Sequence, residues 1–297
     1  MDKNIVVTGS GGILGTAILN KLSKNSRNQI YAISSQVEKM EEKYKGLEHI
    51  HVLSSVSDIS NVNIDIAIHC AFPRSNNGKD LATAFEYTEM IMTELASKGI
   101  RVFINISSQS VYAQSGEEIQ TETSAVEPSN LYGMTKYAIE NLVRIKANQY
   151  DMKYVNVRLG SLASPTFDQR MINRFFQKIV NKEPIIVDRG VPKVSYLHVE
   201  DAADALIQLI NAISQGRKIR SLYNLANNDW MFIKELVESC LEYGEKIGLQ
   251  SSDLSFSEKI SEYNNVVNSD LFYKDMNWEP KYSMKSLIEI IFDEKLK

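Results

Sequence analysis

Tyr132 and Lys136 lie four residues apart, and their side chains are suited to proton transfer. Four residues make about one helical turn, so both side chains would share one face of a helix with the ammonium near the phenol. A tyrosine with a pKa near ~10 is a poor acid or base at neutral pH, and a neighbouring positive charge favours its phenolate. The spacing therefore predicts an acid–base pair, although Tyr-x-x-x-Lys by itself is also common on helix surfaces.

A serine-rich segment precedes the tyrosine, and Ser108 lies 132 minus 108, or 24, residues upstream of it. The segment follows a run, 101–107, that has the composition of a buried strand. Open parallel sheets bind ligands at the carboxyl ends of their strands. The serines are therefore predicted to lie at a ligand-binding edge of a sheet, and an ordinary polar loop is the alternative.

The segment 4–15 joins an apolar strand to a helix through three glycines, Gly9, Gly12 and Gly15. The first permits a tight turn, the second lets backbone N–H groups approach a ligand, and the third lets the helix lie against the sheet. Unpaired N–H groups and the helix dipole favour a diphosphate at such a helix start. A dinucleotide is the predicted ligand, although glycines also serve ordinary strand-to-helix turns.

The elements that must position these residues alternate between strand and helix. Predicted strands are 5–7, 29–34, 51–53, 64–71, 101–107, 153–159 and 221–226, and predicted helices include one from Gly12, 81–98, the Tyr132 segment, one around Phe175, and 233–241. This order predicts an α/β fold, a Rossmann-type doubly wound parallel sheet with a smaller C-terminal substrate-binding lobe. The predicted dinucleotide-binding domain is 1–165, with 194–228 packing back on it, and the lobe is 166–193 and 229–297.

Several segments together resemble the extended short-chain dehydrogenase/reductase family, the NAD-dependent epimerase/dehydratase group that acts largely on sugar nucleotides. They are the glycine turn at Gly9, Ser-Ser-x-x-Val-Tyr at Ser107, Tyr-x-x-x-Lys at Tyr132 after Glu127-Pro128, and Asn-Trp-Glu-Pro at 277–280. The strand 64–71 is similar to the family's Asp-x-Val-Ile-His-x-Ala-Ala segment, in which His69 is predicted to be a packed histidine and not a catalyst. The resemblance runs nearly end to end.

The resemblance implies a catalytic triad, Ser108, Tyr132 and Lys136. Tyr132 would shuttle a proton while hydride moves to or from a nicotinamide, Lys136 would bond the nicotinamide ribose, and Ser108 would orient the substrate. The implied cofactor contacts are Gly9, Gly12, Ile13, Leu14, Gly15, Ser34, Ser35, Asp58, Ala71, Phe72, Lys136 and Leu159. The implied substrate contacts are Arg74, Ser108, Gln109, Ser161 and Lys193.

Two departures from the family pattern fall in the substrate motifs. Ser161 stands where an asparagine usually contacts the phosphates of the nucleotide, and Val194 stands where an arginine commonly does so. Lys193 is next to Val194 and is the candidate to replace that arginine. The resemblance therefore supports the assignment of a nicotinamide cofactor more strongly than the assignment of a nucleotide-sugar substrate.

The end of the second predicted strand bears on the choice between NAD and NADP. An acidic residue there would bond the ribose 2′-hydroxyl and repel a 2′-phosphate, but the chain has Ser34, Ser35 and Gln36. Lys39 or Lys43 could reach a phosphate at this position. NADP is the favoured cofactor and NAD the alternative.

The predicted function is that of an NAD(P)-dependent oxidoreductase or epimerase that transfers hydride at a sugar carbon, with C4 favoured, of a nucleotide-linked sugar for polysaccharide biosynthesis. A 4,6-dehydratase is disfavoured, because relatives supply an Asp-Glu pair where this chain has Gln109 and Ser110, which cannot relay protons as carboxylates do. A 4-ketoreductase or a 4-epimerase remains. The alternatives are an NADPH-dependent reductase of a non-nucleotide carbonyl compound and a non-catalytic dinucleotide-binding regulator.

Composition excludes several classes of partner. The formal charge is 33 minus 37, or −4, without a basic block, so neither nucleic acid nor an acidic membrane surface is predicted to bind. The apolar stretches are short and the first segment is already a strand, which predicts a soluble, cytoplasmic protein. Cys70 and Cys240 are far apart and lack companion ligands, so they are predicted to be buried free thiols without a metal. Family members often dimerise through the Tyr-x-x-x-Lys helix, which implies a homodimer.

Overall fold

The computed structural model describes residues 3–60 and 62–297. Its strands are β1 (Asn4–Thr8), β2 (Gln29–Ile33), β3 (Ile50–Leu53), β4 (Ile66–His69), β5 (Val102–Ser108), β6 (Lys153–Leu159), β7 (Leu162–Ala163), β8 (Ile185–Gly190), β9 (Lys193–Val194), β10 (Leu197–His198), β11 (Leu222–Leu225), β12 (Met231–Phe232) and β13 (Leu254–Ser261). Its α-helices are α1 (Ile13–Leu22), α2 (Val37–Lys43), α3 (Gly78–Ser97), α4 (Leu131–Gln149), α5 (Met171–Val180), α6 (Val199–Ser214), α7 (Ile233–Lys246), α8 (Asp270–Met276) and α9 (Met284–Lys295).

One parallel sheet of seven strands runs in the order β11-β6-β5-β4-β1-β2-β3. Its central strands are nearly continuous apolar runs, because helices cover both faces of the sheet. The strand order reverses between β1 and β4, and open sheets of this kind bind ligands outside the strand ends at such a reversal. The predicted doubly wound parallel sheet is confirmed.

Helices pack on both faces of this sheet. On one face α1 packs against α6, and on the other α3 packs against α4. Leu14, Ile18 and Leu22 of α1 are buried, as their helical spacing predicts. Burying one such side chain contributes about 1.5–3 kcal/mol, so this stripe is enough to fix α1 on the sheet behind the glycine turn.

A separate apolar cluster joins α5, α7, α9 and β8. The rings of Phe176 and Phe292 meet edge to face there, with centroids 4.9 Å apart. The helix α5 is amphipathic, since Phe175 and Phe176 are buried while Arg174 is exposed. This cluster draws on the segments assigned to the substrate lobe, and the exact division of the chain into domains stays a prediction.

Several details of the elements bear on the predictions. Helix α3 begins at Gly78 and not at residue 81, because the Asn77 side chain accepts the Lys79 N–H at 2.9 Å and caps it. His69 is buried between the hydroxyls of Thr8 and Thr88 at 2.8 and 3.0 Å, which confirms a packed histidine. Cys70 is half-buried, not buried as predicted, because it follows β4 at the sheet edge.

Across residues 3–60 and 62–297, no helix combines the length and apolar character that crossing a bilayer requires.

Candidate active site

The glycine turn between β1 and α1 leaves backbone groups free at the start of a helix. Gly9 has φ +66°, the left-handed region that favours glycine, and a Cβ there would lie 2.6 Å from the Ala71 nitrogen. A Cβ on Gly15 would clash with the Gly9 carbonyl oxygen. Gly12 precedes α1 and offers no side-chain cap, so the first N–H groups of α1 are left for a ligand. This turn can bind a diphosphate.

A cleft of about 560 Å³ opens at the carboxyl ends of β1, β4, β5 and β6. The glycine turn forms one wall, and Ser108 and Lys136 lie on another. Parallel strands bring their carboxyl ends to one edge, which is why residues from distant parts of the sequence meet here. The cleft is the candidate active site.

Lys136 is held at this site by the end of β5 and by an aromatic ring. Its Nζ donates to the Ile106 carbonyl oxygen at 2.8 Å and lies 3.7 Å from the centroid of the Phe72 ring. Burial lowers the pKa of Lys136 to about 7, although the acidic groups of Cys70 and Glu140 act to raise it. Lys136 can therefore exchange a proton near neutral pH.

Tyr132 lies one helical turn before Lys136, as the spacing predicts. The Lys136 Nζ is 5.9 Å from the centroid of its ring, and Phe72 packs edge-on against it at 5.5 Å. Burial raises the pKa of Tyr132, while the Ser108 hydroxyl and then Arg74 and Arg170 act to lower it. The expectation that Lys136 lowers this pKa is not met in this arrangement, where the nearby arginines supply the favourable charge and burial outweighs them.

Ser108 ends β5 beside Tyr132 and is buried. Its Oγ accepts the Ser110 N–H at 3.1 Å, which fixes the side chain at the turn that follows the strand. Next to it, the buried Gln109 donates from Nε2 to the Ser161 Oγ at 3.2 Å, and Asn265 donates to the same oxygen at 3.2 Å. Ser161 is thus already bonded to two protein amides.

A buried network beneath the site ties α4 to the sheet. The Ser107 Oγ donates to Glu140 at 2.5 Å, and Arg158 of β6 donates to both oxygens of Glu140, the shortest contact being 2.7 Å. Arg158 also donates to the Tyr112 hydroxyl at 2.8 Å. Because Glu140 is one turn beyond Lys136, the network sets the rotation of α4 and with it the direction of Tyr132 and Lys136.

The profile of the NAD dependent epimerase/dehydratase family matches residues 5–226, the span that contains the glycine turn, Ser108, Tyr132 and Lys136. The chain belongs to this family. Its structural neighbours are sugar-nucleotide epimerases and dehydratases of the extended short-chain dehydrogenase/reductase type, so the resemblance that the motifs indicated is confirmed.

Individual relatives of the epimerase/dehydratase chain are distant. It is 22% identical over 315 residues to the low-salt glycan biosynthesis protein Agl12 of Haloferax volcanii, covering 98% of this chain and 97% of that protein. It is 24% identical over 229 residues to the trifunctional dehydratase, epimerase and reductase RHM2 of Arabidopsis thaliana, of which the chain spans 34%. A UDP-glucuronic acid 4-epimerase mutant of Bacillus cereus, solved with UDP-4-deoxy-4-fluoro-glucuronic acid and NAD, superposes with TM-score 0.82 at 16% identity and covers 99% of this chain and 100% of that one. At such identity the likeness shows the fold.

A nicotinamide dinucleotide is the cofactor of this family, and the residues present fit one. The glycine turn forms a cradle that side chains would fill, since a Cβ on Gly9 would meet the chain after β4. The uncapped start of α1 suits the diphosphate, and the Lys136 ammonium suits ribose hydroxyls. The predicted contacts that line the cleft are Gly9, Gly12, Ile13, Leu14, Gly15, Phe72, Arg74, Ser108, Gln109, Tyr132, Lys136, Leu159 and Ser161.

Four of the predicted cofactor contacts, Ala71, Ser34, Ser35 and Asp58, do not line the cleft. Ala71 lies directly behind Gly9. Ser34 is buried with its Oγ accepting the Gln36 N–H at 3.0 Å, and Ser35 is exposed beside it. The Asp58 carboxylate accepts from Ser54 Oγ at 2.9 Å and from the Ser55 N–H at 3.0 Å, so it closes a local turn after β3.

Lys193 is the predicted substrate contact that the structure leaves outside the cleft. Its Nζ donates to the Glu117 carbonyl oxygen at 2.8 Å and lies 5.4 Å from the Trp230 ring centroid. Neither Lys193 nor the two residues that its ammonium contacts line the cleft. They give no support to Lys193 as a substitute for the family's phosphate-binding arginine.

Sequence reasoning missed Arg170, Phe167 and Tyr263, which line the substrate side of the cleft. Phe167 and Arg170 lie in the loop between β7 and α5, and Tyr263 follows β13. The one available signal was the charged residue just before the amphipathic helix α5, within a few residues of the motif that ends at Pro165. Tyr263 carried no local signal, since only the tertiary fold brings it to this wall.

Proposed function

We propose that the protein is an NAD(P)-dependent oxidoreductase or epimerase that acts on a sugar carbon, C4 in the first instance, of a nucleotide-linked sugar. The observation that carries the proposal is the convergence of Ser108, Tyr132 and Lys136 on one cleft beside the glycine turn. The nucleotide sugars bound or named in the solved neighbours support this substrate class. Their likeness in fold, taken with the triad, favours chemistry on the sugar ring.

In this proposal each member of the triad has a separate task. The Tyr132 hydroxyl takes a proton from, or gives one to, the sugar hydroxyl or carbonyl at the reacting carbon. Ser108 donates a hydrogen bond to the same sugar oxygen, and Lys136 binds the ribose and exchanges the proton onward. When bound, the nicotinamide ring supplies or accepts hydride.

The reaction is narrowed by the residues next to Ser108. Gln109 is neutral and its amide is bonded to Ser161, and Ser110 lies in the turn after β5, so neither offers the carboxyl group that dehydration requires. This supports a 4-ketoreductase or a 4-epimerase over a 4,6-dehydratase. An epimerase would keep its NAD through the cycle, whereas a reductase would exchange its cofactor at each turnover.

NADP is the preferred form of the cofactor in the proposal. The three residues directly after β2 are Ser34, Ser35 and Gln36, none of them acidic, and Lys39 and Lys43 are both exposed on the next helix. Lys39 and Lys43 lie four residues apart on α2, about one helical turn, and partial desolvation and the charge of Lys39 lower the pKa of Lys43. Such a pair would attract a 2′-phosphate.

A reductase of a non-nucleotide carbonyl compound is the second candidate. Val194 is fully buried and apolar, and the hydroxyl of Ser161 is already bonded to Gln109 and Asn265. At these two positions, where family members commonly contact the phosphates with an arginine and an asparagine, this chain therefore lacks the usual side chains. A non-catalytic regulator is less well supported, because Ser108, Tyr132 and Lys136 are all retained and all line the cleft.

The test begins with the cofactor. Purified protein is denatured, and any released nucleotide is identified by chromatography and mass; emptied protein is then titrated with NADH and NADPH. Retained NAD supports an epimerase, and an empty protein that prefers NADPH supports a reductase. Turnover is assayed with 4-keto-6-deoxy nucleotide sugars and with UDP-hexoses. Turnover of a simple ketone or aldehyde, with no turnover of any nucleotide sugar, would favour the second candidate.

A homodimer is part of the proposal. Five large apolar side chains of α3 and α4 are exposed, namely Met90, Leu131, Met134, Tyr137 and Ile145. They form the kind of surface that a symmetric partner covers. Light scattering should give twice the mass of the 33.6 kDa chain, and Met134→Lys combined with Ile145→Lys should reduce it to one chain.

A further inference from the structure

The loop that follows Tyr112, residues 113–120, is held in place through its backbone, and we call it the clamped loop. The side chains of residues 115–119 are all exposed, so none of them anchors the loop in a core. Five of its carbonyl oxygens, those of residues 114, 116, 117, 118 and 120, accept hydrogen bonds from later segments of the chain. The position of the clamped loop therefore depends on the groups that donate to it.

Asn264 makes three of these five hydrogen bonds. Its backbone N–H donates to the Gln114 carbonyl oxygen at 3.1 Å. Its Nδ2 donates to the carbonyl oxygens of Gly116 at 3.1 Å and of Glu118 at 3.0 Å. The Oδ1 of the same side chain accepts the Val266 N–H at 3.0 Å, which fixes the orientation of the amide. Because Asn264 is buried, losing its donors would leave the carbonyl oxygens of the loop without these partners.

The other two hydrogen bonds come from the same side of the loop. The Lys193 Nζ donates to the Glu117 carbonyl oxygen, and the Asn268 N–H donates to the Gln120 carbonyl oxygen, both at 2.8 Å. Lys193 and Asn264 also form an isolated parallel bridge. The lysine that sequence analysis assigned to the substrate thus helps to hold the clamped loop.

The segment that carries Asn264 is itself fixed to the site. The next residue, Asn265, is buried, and its Nδ2 donates to the Ser161 Oγ at 3.2 Å. Its Oδ1 accepts the N–H of the buried Ser195 at 3.1 Å. Segments with buried side chains open less readily than segments with exposed ones. The segment around Asn264 is therefore the fixed side of this contact, and the clamped loop is the side that can open.

The clamped loop and the Asn264 segment meet at the substrate side of the cleft. Gln114 and Tyr263 both line the cleft, and Tyr263 forms an isolated bridge with Ser115. Opening of the loop would withdraw Gln114 and remove the strand contact beside Tyr263. The shape of this wall therefore depends on hydrogen bonds to a loop whose side chains are exposed.

We propose that Asn264 is a positioning residue that holds the clamped loop against the substrate side of the cleft and so determines how tightly the cleft binds a nucleotide sugar. The inference rests on the proposed function. Asn264 is not one of the residues that line the cleft, so it acts through Gln114 and Tyr263. Loops that open locally at low cost are the ones that admit and enclose ligands.

Opening of the clamped loop is measured first, without a substrate. Hydrogen exchange of residues 113–120 and cleavage after Glu117 and Glu118 by a glutamate-specific protease are followed in the cofactor-saturated protein. Asn264→Asp keeps the shape of the side chain but replaces its two donors with a carboxylate oxygen, which repels the loop carbonyls. Asn268→Asp is the matched control, because the Asn268 side chain bonds Asp270 while its backbone bond to the loop is kept.

Asn264→Asp should raise both the exchange rate and the cleavage rate of the loop by about tenfold or more, since two hydrogen bonds of a buried side chain are lost. Lys193→Met removes one bond to the loop and should have a smaller effect in the same direction. Asn268→Asp should change neither rate. Lys193→Met also keeps the test informative if Asn264→Asp fails to fold.

Calorimetric titration of the same proteins tests the link to the substrate. The probes are UDP-glucose, dTDP-glucose and GDP-mannose, and the one that the wild-type protein binds most tightly is used for the variants. Its dissociation constant should rise about tenfold in Asn264→Asp and less in Lys193→Met, whereas that of the cofactor should stay unchanged. A merely structural role of Asn264 would weaken both ligands alike, and that result would overturn the inference.

Two further results would also overturn the inference while the proposed function stands. In the first, the clamped loop opens no faster in Asn264→Asp than in the wild-type protein. In the second, the loop opens faster but the nucleotide sugar binds as tightly as before. If the wild-type protein binds a nicotinamide dinucleotide but none of the three nucleotide sugars, the proposed function fails, and the inference fails with it.

Discussion

On the β5–α4 side of the cleft the buried polar side chains are bonded to one another, whereas the Arg74–Arg170 side holds positive charges that no acid in the described part of the chain neutralises. The first side consists of regular elements, with Glu140 and Arg158 linking α4 to β6. The second side consists of the loop after β4, the loop before α5 and the segment after β13. The two sides differ in regular secondary structure and in how fully the charges of their side chains are paired.

This difference indicates how one scaffold can serve many substrates. In the proposed function, the chemistry is carried out by side chains on a strand end and a helix, which the core holds in place. In the proposed function, the contacts that select a substrate lie outside the seven-stranded sheet, where a departure from the family pattern such as Ser161 or Val194 leaves that sheet intact. Changes on the first side should therefore abolish chemistry or folding, and changes on the second should alter the ligand.

The largest expected effect is that of Tyr132→Phe. Loss of the hydroxyl removes the group that we propose transfers the proton but leaves the ring against Phe72, so turnover should fall by about 10²–10⁴-fold. Cofactor affinity should stay close to wild type. Steady-state turnover and a fluorescence titration measure the two quantities. Tyr137→Phe, on an exposed tyrosine of the same helix, is the control, and near-normal turnover in Tyr132→Phe would refute the catalytic assignment.

Arg158→Met should destabilise the fold itself. The substitution leaves the buried Glu140 carboxylate without its partner, which typically costs about 3–5 kcal/mol. The free energy of unfolding, from urea denaturation, is the measurement. Arg220→Met removes an arginine whose pair with Asp275 is partly exposed and should change stability little. Adding Glu140→Leu to Arg158→Met should recover part of the loss, and no recovery would contradict the unpaired-charge explanation.

The pH dependence of stability tests the state of Lys136. Burial lowers its pKa to about 7 in the folded protein, from 10.5 in the unfolded chain, so the unfolded state binds more protons between these values. The free energy of unfolding is therefore not reduced by Lys136 above about pH 10.5. It decreases as the pH falls from there towards 7, by at most ~1.4 kcal/mol per pH unit. Lys136→Met should remove that slope. If the free energy of unfolding changes with pH in the same way in the wild-type protein and in Lys136→Met, Lys136 is charged and solvated in the folded protein.

The parts of the molecule that sequence reasoning found are those governed by local rules. Gly9 and Gly15 follow from the geometry of a strand-to-helix turn, and Tyr132 and Lys136 follow from the period of one helix. The alternation of apolar runs and helical spacing predicts the parallel sheet in the same way. Each rule needs only neighbours in sequence, so a single sequence suffices.

The parts that it missed depend on contacts between distant segments. Arg170 reaches Phe167 nearby, but its position near Arg74 and Tyr132 depends on how α5 is placed by its packing against α7 and α9. Lys193 is next to the expected position in sequence, yet its side chain is drawn to the Glu117 carbonyl oxygen. A long flexible side chain is directed by its tertiary surroundings, and adjacency in sequence does not determine which cavity it reaches.

The smallest predicted effect concerns the helix after β2, where the proposed determinants of NADP binding are exposed lysine side chains. Lys39→Gln combined with Lys43→Gln should weaken NADPH binding by about twofold to tenfold, since each exposed ion pair contributes little. NADH binding should not change, because it lacks the 2′-phosphate. The ratio of the two dissociation constants is the readout, and Lys45→Gln, at an exposed lysine just after α2, is the control. An equal loss for both cofactors would mean that the lysines act on overall charge, and the choice of NADP would then lie elsewhere.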